Sequence, residues 1–533
     1  MRRIMKYPIG IQTFSQIRSE DYLYVDKTDL IYSLTHEGKI FFLSRPRRFG
    51  KSLLISTLEA YYSGKKELFK GLKIDALEKD WYSYPVFHLD FNGQDFTKPD
   101  TLEKTILRFV TDYEAIYGND PRDLTIGDRF SLVLKKAYAK TGRRCVVLVD
   151  EYDKPLLDVM ASDVRVPREG GEPVSLEEYN RNILKGFYST FKAADASLQF
   201  VLLTGVTKFS QVSVFSGFNQ PADISMNPKF DALCGITEKE MLDTFQEPVS
   251  MLAEHYKLSY DGMVEFLRKQ YDGYHFSDAM LGVYNPFSLL NAFYCNRVKD
   301  YWFQSGTPAY LVQLLNKSNE NLDELTGKYY SADQFIDYKA NDEQPLPMIY
   351  QSGYLTIKGY DMDTDSFLLD FPNDEVKRGF VQVVANNYLE TGDKASSAIK
   401  NFVKCLKQGD LESFRTLLTS FFASIPYSMR RKEGEREKER YFHYTFYLII
   451  RLLSTYMVCT EKQQSQGRVD CVIETDKCVY IFEFKLDGSA DEAVAQIEDK
   501  GYAAEYSADK RRLYKIGVNF SSATGTISDW KVA

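Results

Sequence analysis

The chain has 533 residues, 44% of them hydrophobic and 27% charged, the balance of a folded protein of several domains and not of a disordered one. A net charge of −8 excludes a broadly basic nucleic-acid coat, so any nucleic-acid contact is expected to be local. Seven cysteines, an odd number without a C-x-x-C pair, exclude a disulfide framework or a zinc site, and no apolar run approaches the ~18 residues of a membrane helix, so a cytoplasmic protein without membrane contact is expected.

Over residues 39–209 short apolar runs alternate with longer helical segments, the pattern of an α/β domain with a parallel sheet covered by helices. The runs are KIFFLS (39–44), PVFHLDF (85–91), CVVLVD (145–150) and QFVLLTG (199–205), and near-continuous apolar strands of this kind are buried on both faces. The first run leads into SRPRRFGKSLL (44–54), which closes on Gly50, Lys51 and Ser52 and continues as a plausible helix, KSLLISTLEAYY. In a phosphate-binding loop the backbone N–H groups and the helix N-terminus face the phosphates, the lysine reaches the terminal ones, and the hydroxyl holds magnesium. Arg45 stands where such a loop usually opens with glycine, and arginine resists positive φ, so this loop is expected to turn differently. Arg47 and Arg48 offset the difference chemically, because guanidinium groups take phosphate oxygens directly.

The third run continues as CVVLVDEYD, which sets Asp150 at a strand end to hold magnesium through water and Glu151 to polarise the water attacking a γ-phosphate. A competing reading has Asp150, Glu151 and Asp153 cap a following helix. The fourth run ends in LLTGVTKFS, where Thr204 is a candidate polar sensor of the γ-phosphate, against ordinary turn chemistry for Thr204 and Thr207. Residues 237–325 turn helical and aromatic, a lid punctuated by YDGYHF (271–276) and YNPFSLL (284–290). The YDGYHF aromatics are either core residues or platforms for stacked bases.

Together with YLYVDKTDLIYSL (22–34), the segments RPRRFGKSLL, VDEYDKP, TGVTKFS, YDGYHF and YNPFSLL resemble the AAA-ATPase-like family, whose usual form has the arginine-rich loop without the opening glycine. The resemblance covers most of the first ~290 residues and implies a P-loop NTPase fold that binds ATP. Many relatives of this ATPase type complete their site with an arginine from a neighbouring copy, so the resemblance allows a homo-oligomer, without singling out that arginine here.

Residues 331–375 mix short strand-like runs with Asp, Asn and Pro and are expected to connect two larger bodies. Beyond them, SMRRKEGEREKERYFHYTFYLIIRLL (428–453) becomes an amphipathic helix with Phe442, Phe446, Ile449, Ile450 and Leu453 on one face. The remainder reads strand, strand, helix, strand. GRVDCVIETDKCVYIFEFKL (467–486) is two strands joined at Thr475 to Lys477, and alternation sets Glu483 and Lys485 on one face with Val479 and Ile481. Charges there are costly unless they pair or bind something. Asp470 begins the neighbouring strand, so Asp470 and Glu483 would share a magnesium ion through oxygen ligands while Lys485 steadies charge on a scissile phosphate. A surface ion pair on an edge strand is the alternative. Downstream, Ser489 and Glu492 form a capping box for a helix presenting Gln496, and Tyr502 follows the helix-breaking Gly501.

The order helix, strand, strand, helix, strand with Glu, Asp, Glu-x-Lys and Gln…Tyr resembles the PD-(D/E)xK nuclease superfamily over about residues 435–520, in the branch often fused to the AAA-ATPase-like domain. By that resemblance Glu439, Asp470, Glu483, Lys485, Gln496 and Tyr502 fall on motif positions, with Glu435 and Glu437 competing for the first and His443 outside the ligand set. The expected organisation is an ATPase domain (1–236), a helical lid (237–330), a linker of mixed structure (331–420) and a smaller α/β restriction-endonuclease-like domain (421–533). The expected activity is ATP hydrolysis coupled to magnesium-dependent cleavage of nucleic acid, DNA before RNA. A regulatory or scaffold protein that binds without cutting, and a nucleic-acid motor, are the rivals.

Overall fold

Apolar runs short enough for strands and flanked by turns build the first half of the chain. In order these are β1 (Ile40–Ser44), β2 (Val86–Asp90), β3 (Cys145–Asp150), a hairpin of β4 (Arg165–Arg168) and β5 (Gly171–Ser175), then β6 (Leu198–Gly205) and β7 (Ala222–Asp223). The computed structural model describes residues 6–122, 124–160, 162–168, 171–209, 221–304, 325–337, 345–388, 394–423, 449, 453, 458–464 and 467–533. It divides into two compact units, Met1–Val376 and Lys377–Ala533.

In the first unit β2-β3-β6-β1-β7 make one sheet in which every pairing is parallel. All of β3 is buried and β6 nearly so, which is why both read as unbroken apolar runs. Each fully buried Val or Leu here contributes about 1.5–3 kcal/mol, so a charge at Val147, paired with Phe87 and Val201, would be among the most damaging single changes. Insertion of β6 between β1 and β3 has a functional consequence. The register sets Ser44 beside Gly205 and Val149 beside Leu203, so the carboxyl ends of three strands converge, the edge at which open parallel sheets bind ligands.

The expected lid is helical. β8 (Ile236–Thr237) pairs with β9 (Val283–Tyr284), and a Thr237/Glu240 capping box starts the helix Glu238–Thr244. The helices Gln246–Tyr256, Tyr260–Tyr271 and Pro286–Cys295 follow around a core that includes Met241, Phe245, Leu252, Leu267 and Leu289. Tyr271, Tyr274 and Phe276 of YDGYHF are buried, and the Tyr271 hydroxyl donates to the Lys299 carbonyl at 2.7 Å, so these rings belong to the core and present no face to a base. The antiparallel sheet of β10 (Lys328–Ser331), β11 (Thr356–Asp361) and β12 (Ser366–Asp370) completes this unit. Lys358 ties it to the lid through the Gly273 carbonyl at 2.9 Å and also donates to the Pro372 carbonyl just after β12, at 2.7 Å. The unit boundary therefore falls inside the 331–420 stretch, in the helix Asp374–Tyr388.

The second unit holds a five-stranded sheet whose spatial order follows the chain: β13 (Val458–Gln464), β14 (Gly467–Glu474), β15 (Cys478–Leu486), β16 (Arg512–Ser521) and β17 (Thr526–Val532). Only β15 and β16 run parallel, and the helix Ala490–Asp499 makes that crossover. Ser489 and Glu492 form the expected capping box, and Gly517 lets the helix approach, since a Cβ there would strike the Ala490 carbonyl. β13 and β17 extend the expected strand count. Of the expected amphipathic helix, only Ile449 and Leu453 are among the described residues, both buried; Phe442, Phe446 and Ile450 lie outside them.

Candidate functional sites

The loop after β1 turns at Arg48 (φ 70°) and Gly50 (φ 96°), not at Arg45. Arg45 is buried and points inward: its guanidinium donates to the carbonyls of Ser44 (2.9 Å), Ser225 (2.7 Å) and Phe230 (3.2 Å) and lies 3.9 Å over the Phe276 ring. The residue in the usual glycine position is thus a brace for the loop's first turn. A Cβ at Gly50 would meet nothing within 4 Å, so the glycine is required by its left-handed backbone alone. Gly50 precedes the helix Lys51–Tyr62, whose N-terminus opens to the converging strand ends. Arg47 and Arg48 are exposed; the Arg47 carbonyl accepts from Trp302 Nε1 at 3.2 Å, and the Arg48 guanidinium stands 5.0 Å over Phe287.

Lys51 is only 4% exposed, with Nζ donating to the Arg45 carbonyl at 3.0 Å and standing 3.5 Å from Glu151 Oε1. Ser52 follows on the first helical turn. Glu151 holds φ 53°, a left-handed conformation that costs a non-glycine residue about 1–2 kcal/mol and turns its carboxylate toward the loop. Asp150 is buried and accepts from the Thr204 hydroxyl at 2.7 Å. Thr204 is fully buried and orients Asp150; it does not line the cavity.

Asp153 settles the capping question differently from either expectation. Its carboxylate makes no bond to the helix Lys154–Leu157 but accepts from the N–H groups of Val206 (3.0 Å) and Thr207 (2.6 Å), tying the turn after β3 to the turn after β6. Burial, then the Glu151 charge, push its carboxyl up to about 7. Gly205 is required beside it, because a Cβ would come within 2.6 Å of Asp153 Oδ1.

Beside these groups lies a cavity of about 490 Å³, within the usual range of ligand sites; Asp150 and Asp153, like Thr204, stand behind its wall and do not line it. The loop residues Arg47, Arg48 and Gly50, with Lys51 and Ser52 of the helix start, form one wall, and Glu151 and Lys154 stand beside them. Residues 8–12 together with Phe287 and Leu290 form an apolar wall, and Trp302 and Tyr354 another. Sequence reasoning missed those walls. Phe287 and Leu290 lay in the quoted YNPFSLL, where Asn285 caps the helix and Pro286 opens it, a start signal that was legible.

In the second unit, β15 is the middle strand, so Glu483 and Lys485 are not an edge-strand pair. Their face carries Val479 and Ile481, which pack with Ile497 and Tyr502 from the covering helix and the turn after it. Glu483 is 2% exposed and Lys485 28%. Asp470 on β14 reaches the same place, accepting from the Phe484 N–H at 2.9 Å. One amide joins the pair: Gln496 Nε2 donates to Glu483 Oε1, and Gln496 Oε1 accepts from Lys485 Nζ at 2.6 Å. Tyr502, buried after Gly501 (φ 62°), hydrogen-bonds Gln496. Burial and then the Asp470 charge push the Glu483 carboxyl up to about 7, against the downward pull of Lys485.

Five of the six expected residues therefore converge, while Glu439, like Glu435, Glu437 and His443, lies outside the described residues. Among the described residues no three His, Cys, Asp and Glu side chains gather as a metal cage. Two carboxylates nevertheless suit magnesium, which takes few protein oxygens and keeps its waters, and the buried Glu483 Oε2 beside Asp470 has no hydrogen-bond partner, as a cation position would leave it.

Residues 8–215 match the family described as Predicted AAA-ATPase, and residues 437–530 match the PD-(D/E)XK nuclease superfamily. The chain is 35% identical over 522 residues, 97% of its own length and 96% of the relative's, to a protein of Azotobacter chroococcum mcd 1 described as "Uncharacterized protein in vnfD 5'region". No helix among the described residues is long and apolar enough to cross a membrane.

Proposed function

The chain belongs to the AAA-ATPase-like family in the form that also carries a PD-(D/E)XK nuclease superfamily domain, and from that premise we propose an ATPase whose second unit hydrolyses nucleic-acid phosphodiesters with magnesium. In this reading the loop N–H groups, Arg47, Arg48 and the helix start after Gly50 hold the triphosphate, and Lys51 exchanges its loop carbonyls for phosphate oxygens. Ser52 and Asp150 would hold magnesium, which neutralises phosphate charge, while Thr204 keeps Asp150 oriented. Glu151, aimed inward by its strained backbone, accepts the proton of the attacking water.

The observation that carries the nuclease half is the buried Glu483 carboxylate, linked to Lys485 through one amide and facing Asp470 with an oxygen unpaired. Asp470 and Glu483 would hold magnesium, which polarises the scissile phosphate. Lys485 then steadies the charge that develops on the phosphate oxygens, and Gln496 fixes both side chains. Glu439 is the proposed further carboxylate of this site. DNA is the favoured substrate over RNA, the setting is the cytoplasm, and ATP state governs access or assembly.

The test is cleavage of single- and double-stranded DNA and RNA with magnesium titrated, comparing wild type with Asp470→Asn and Lys485→Ala. Cleavage lost in both variants, with nucleic-acid binding kept, supports the reading. A wild type that binds but never cuts overturns it in favour of a binding-only regulator.

A further inference from the structure

A phosphate loop grips the triphosphate from one side, and phosphoryl transfer is fast only when further positive charge meets the γ-phosphate from another. The first unit supplies such a charge from its own chain. The geometry points to Lys154 as a catalytic cation that contacts the γ-phosphate during ATP hydrolysis, in the place a neighbouring copy's arginine would otherwise take. This rests on the nucleotide reading above and deepens it.

Three observations carry it. Lys154 lines the same cavity as Lys51, Ser52 and Glu151, but comes from the turn after β3 and not from the loop after β1. β6 lies between those two strands, so the two lysines are carried by strand ends on opposite sides of β6, about 10 Å of sheet apart. Lys154 is also placed in step with Glu151. Its N–H donates to the Glu151 carbonyl at 3.0 Å, closing one turn, while the Glu151 carboxylate stands 3.5 Å from Lys51 Nζ. The turn that carries Lys154 therefore reaches the loop lysine. Finally, the cation is held without being committed. Its Nζ lies 2.9 and 2.7 Å from the two oxygens of Asp158, one helical turn on, and both side chains are partly exposed. A lone, partly solvated i,i+4 pair contributes little, so its lysine can exchange the carboxylate for a multiply charged phosphate.

In the step itself the water oxygen bonds to the γ-phosphorus while the bond from that phosphorus to the β–γ bridging oxygen breaks. ADP leaves with the electron pair, phosphate forms, and one proton is released through Glu151. Lys154 stabilises the charge spread over the γ-phosphoryl oxygens as this happens.

The experiment uses the full chain and compares wild type with Lys154→Ala, Lys154→Arg and Asp158→Asn. The readouts are kcat and KM for magnesium-ATP, ADP affinity, and trapping of ADP by aluminium fluoride, a mimic of the transferring phosphoryl group. Lys154→Ala should lower kcat by at least about 100-fold and abolish trapping, with KM and ADP affinity within about threefold, and Lys154→Arg should recover most of the loss. Asp158→Asn, which removes the lysine's partner but not its charge, should stay at least about tenfold above Lys154→Ala in kcat. An unchanged kcat in Lys154→Ala, or matched losses of kcat and ADP affinity in Lys154→Ala and Asp158→Asn, overturns the inference, the second result by making the pair structural. A wild type that binds ADP but neither turns over ATP nor traps aluminium fluoride overturns it while sparing the nucleotide site. A wild type that binds no nucleotide overturns both.

Discussion

Replacing Arg45 with methionine separates a brace from a phosphate ligand. The side chain makes three hydrogen bonds to backbone carbonyls and stacks on Phe276, all in a buried setting. Hydrogen bonds from a charged donor are worth about 1.5–3 kcal/mol each, so their gross loss is roughly 5–9 kcal/mol. Methionine fills much of the volume and relieves the several kcal/mol spent in burying a guanidinium. The Ser225 and Phe230 carbonyls are left without that donor, and the net cost is expected at about 2–4 kcal/mol. Urea unfolding of the full chain, followed by a probe of the first unit, measures this. Nucleotide affinity, measured where the variant is folded, should change by less than about threefold, because the side chain points away from the cavity. A variant within about 0.5 kcal/mol of wild type that binds nucleotide tenfold more weakly would refute the brace and return Arg45 to the phosphates.

Gly205→Ala should destabilise the first unit by about 1–3 kcal/mol, since the new methyl would press on Asp153 and the Tyr152 ring; a thermal melt reads it directly. Asp272 is buried, and burial lifts its carboxyl from 3.8 to about 6 in the folded protein. The folded state thus holds this proton more tightly than the unfolded chain, and its contribution is present below pH 4 and lost as pH rises through about 6. Relative to Asp272→Asn, wild type should lose up to roughly 3 kcal/mol over that window, and parallel pH–stability curves would count against the assignment. Gln496→Ala removes the amide shared by Glu483 and Lys485, so cleavage should fall about 10–100-fold with a raised magnesium requirement, read from initial rates across a magnesium titration.

Much of this architecture was legible because its signals are local. The runs that became β1, β3 and β6 are mostly apolar and bounded by turn residues, while β2, VFHLD, alternates buried and half-buried positions and is less covered than its run suggested. Lys51 and Asp150 were legible as a G-K-S loop closing before a helix and an acid ending an apolar strand, Glu483 and Gln496 through strand alternation and a capping box. What was not legible depends on distant partners. Arg45 turns inward toward carbonyls about 180 residues away, and the walls from residues 8–12, Trp302 and Tyr354 come from chain segments with no shared local pattern. β13, VCTEKQQ, lacks apolar alternation and pairs only because β14 offers its edge. Lys154 was in plain view in VDEYDKP, but its value depends on β6 separating it from the loop lysine.

The account joins two sites in one chain, and a single assay reads both. Magnesium-dependent nucleic-acid cleavage by the full chain would be measured with and without ATP for wild type, Glu483→Ala and Lys51→Ala. The account predicts cleavage that disappears in Glu483→Ala and responds to ATP only where Lys51 is present. Cleavage that persists in Glu483→Ala, or an ATP response that survives Lys51→Ala, would contradict it.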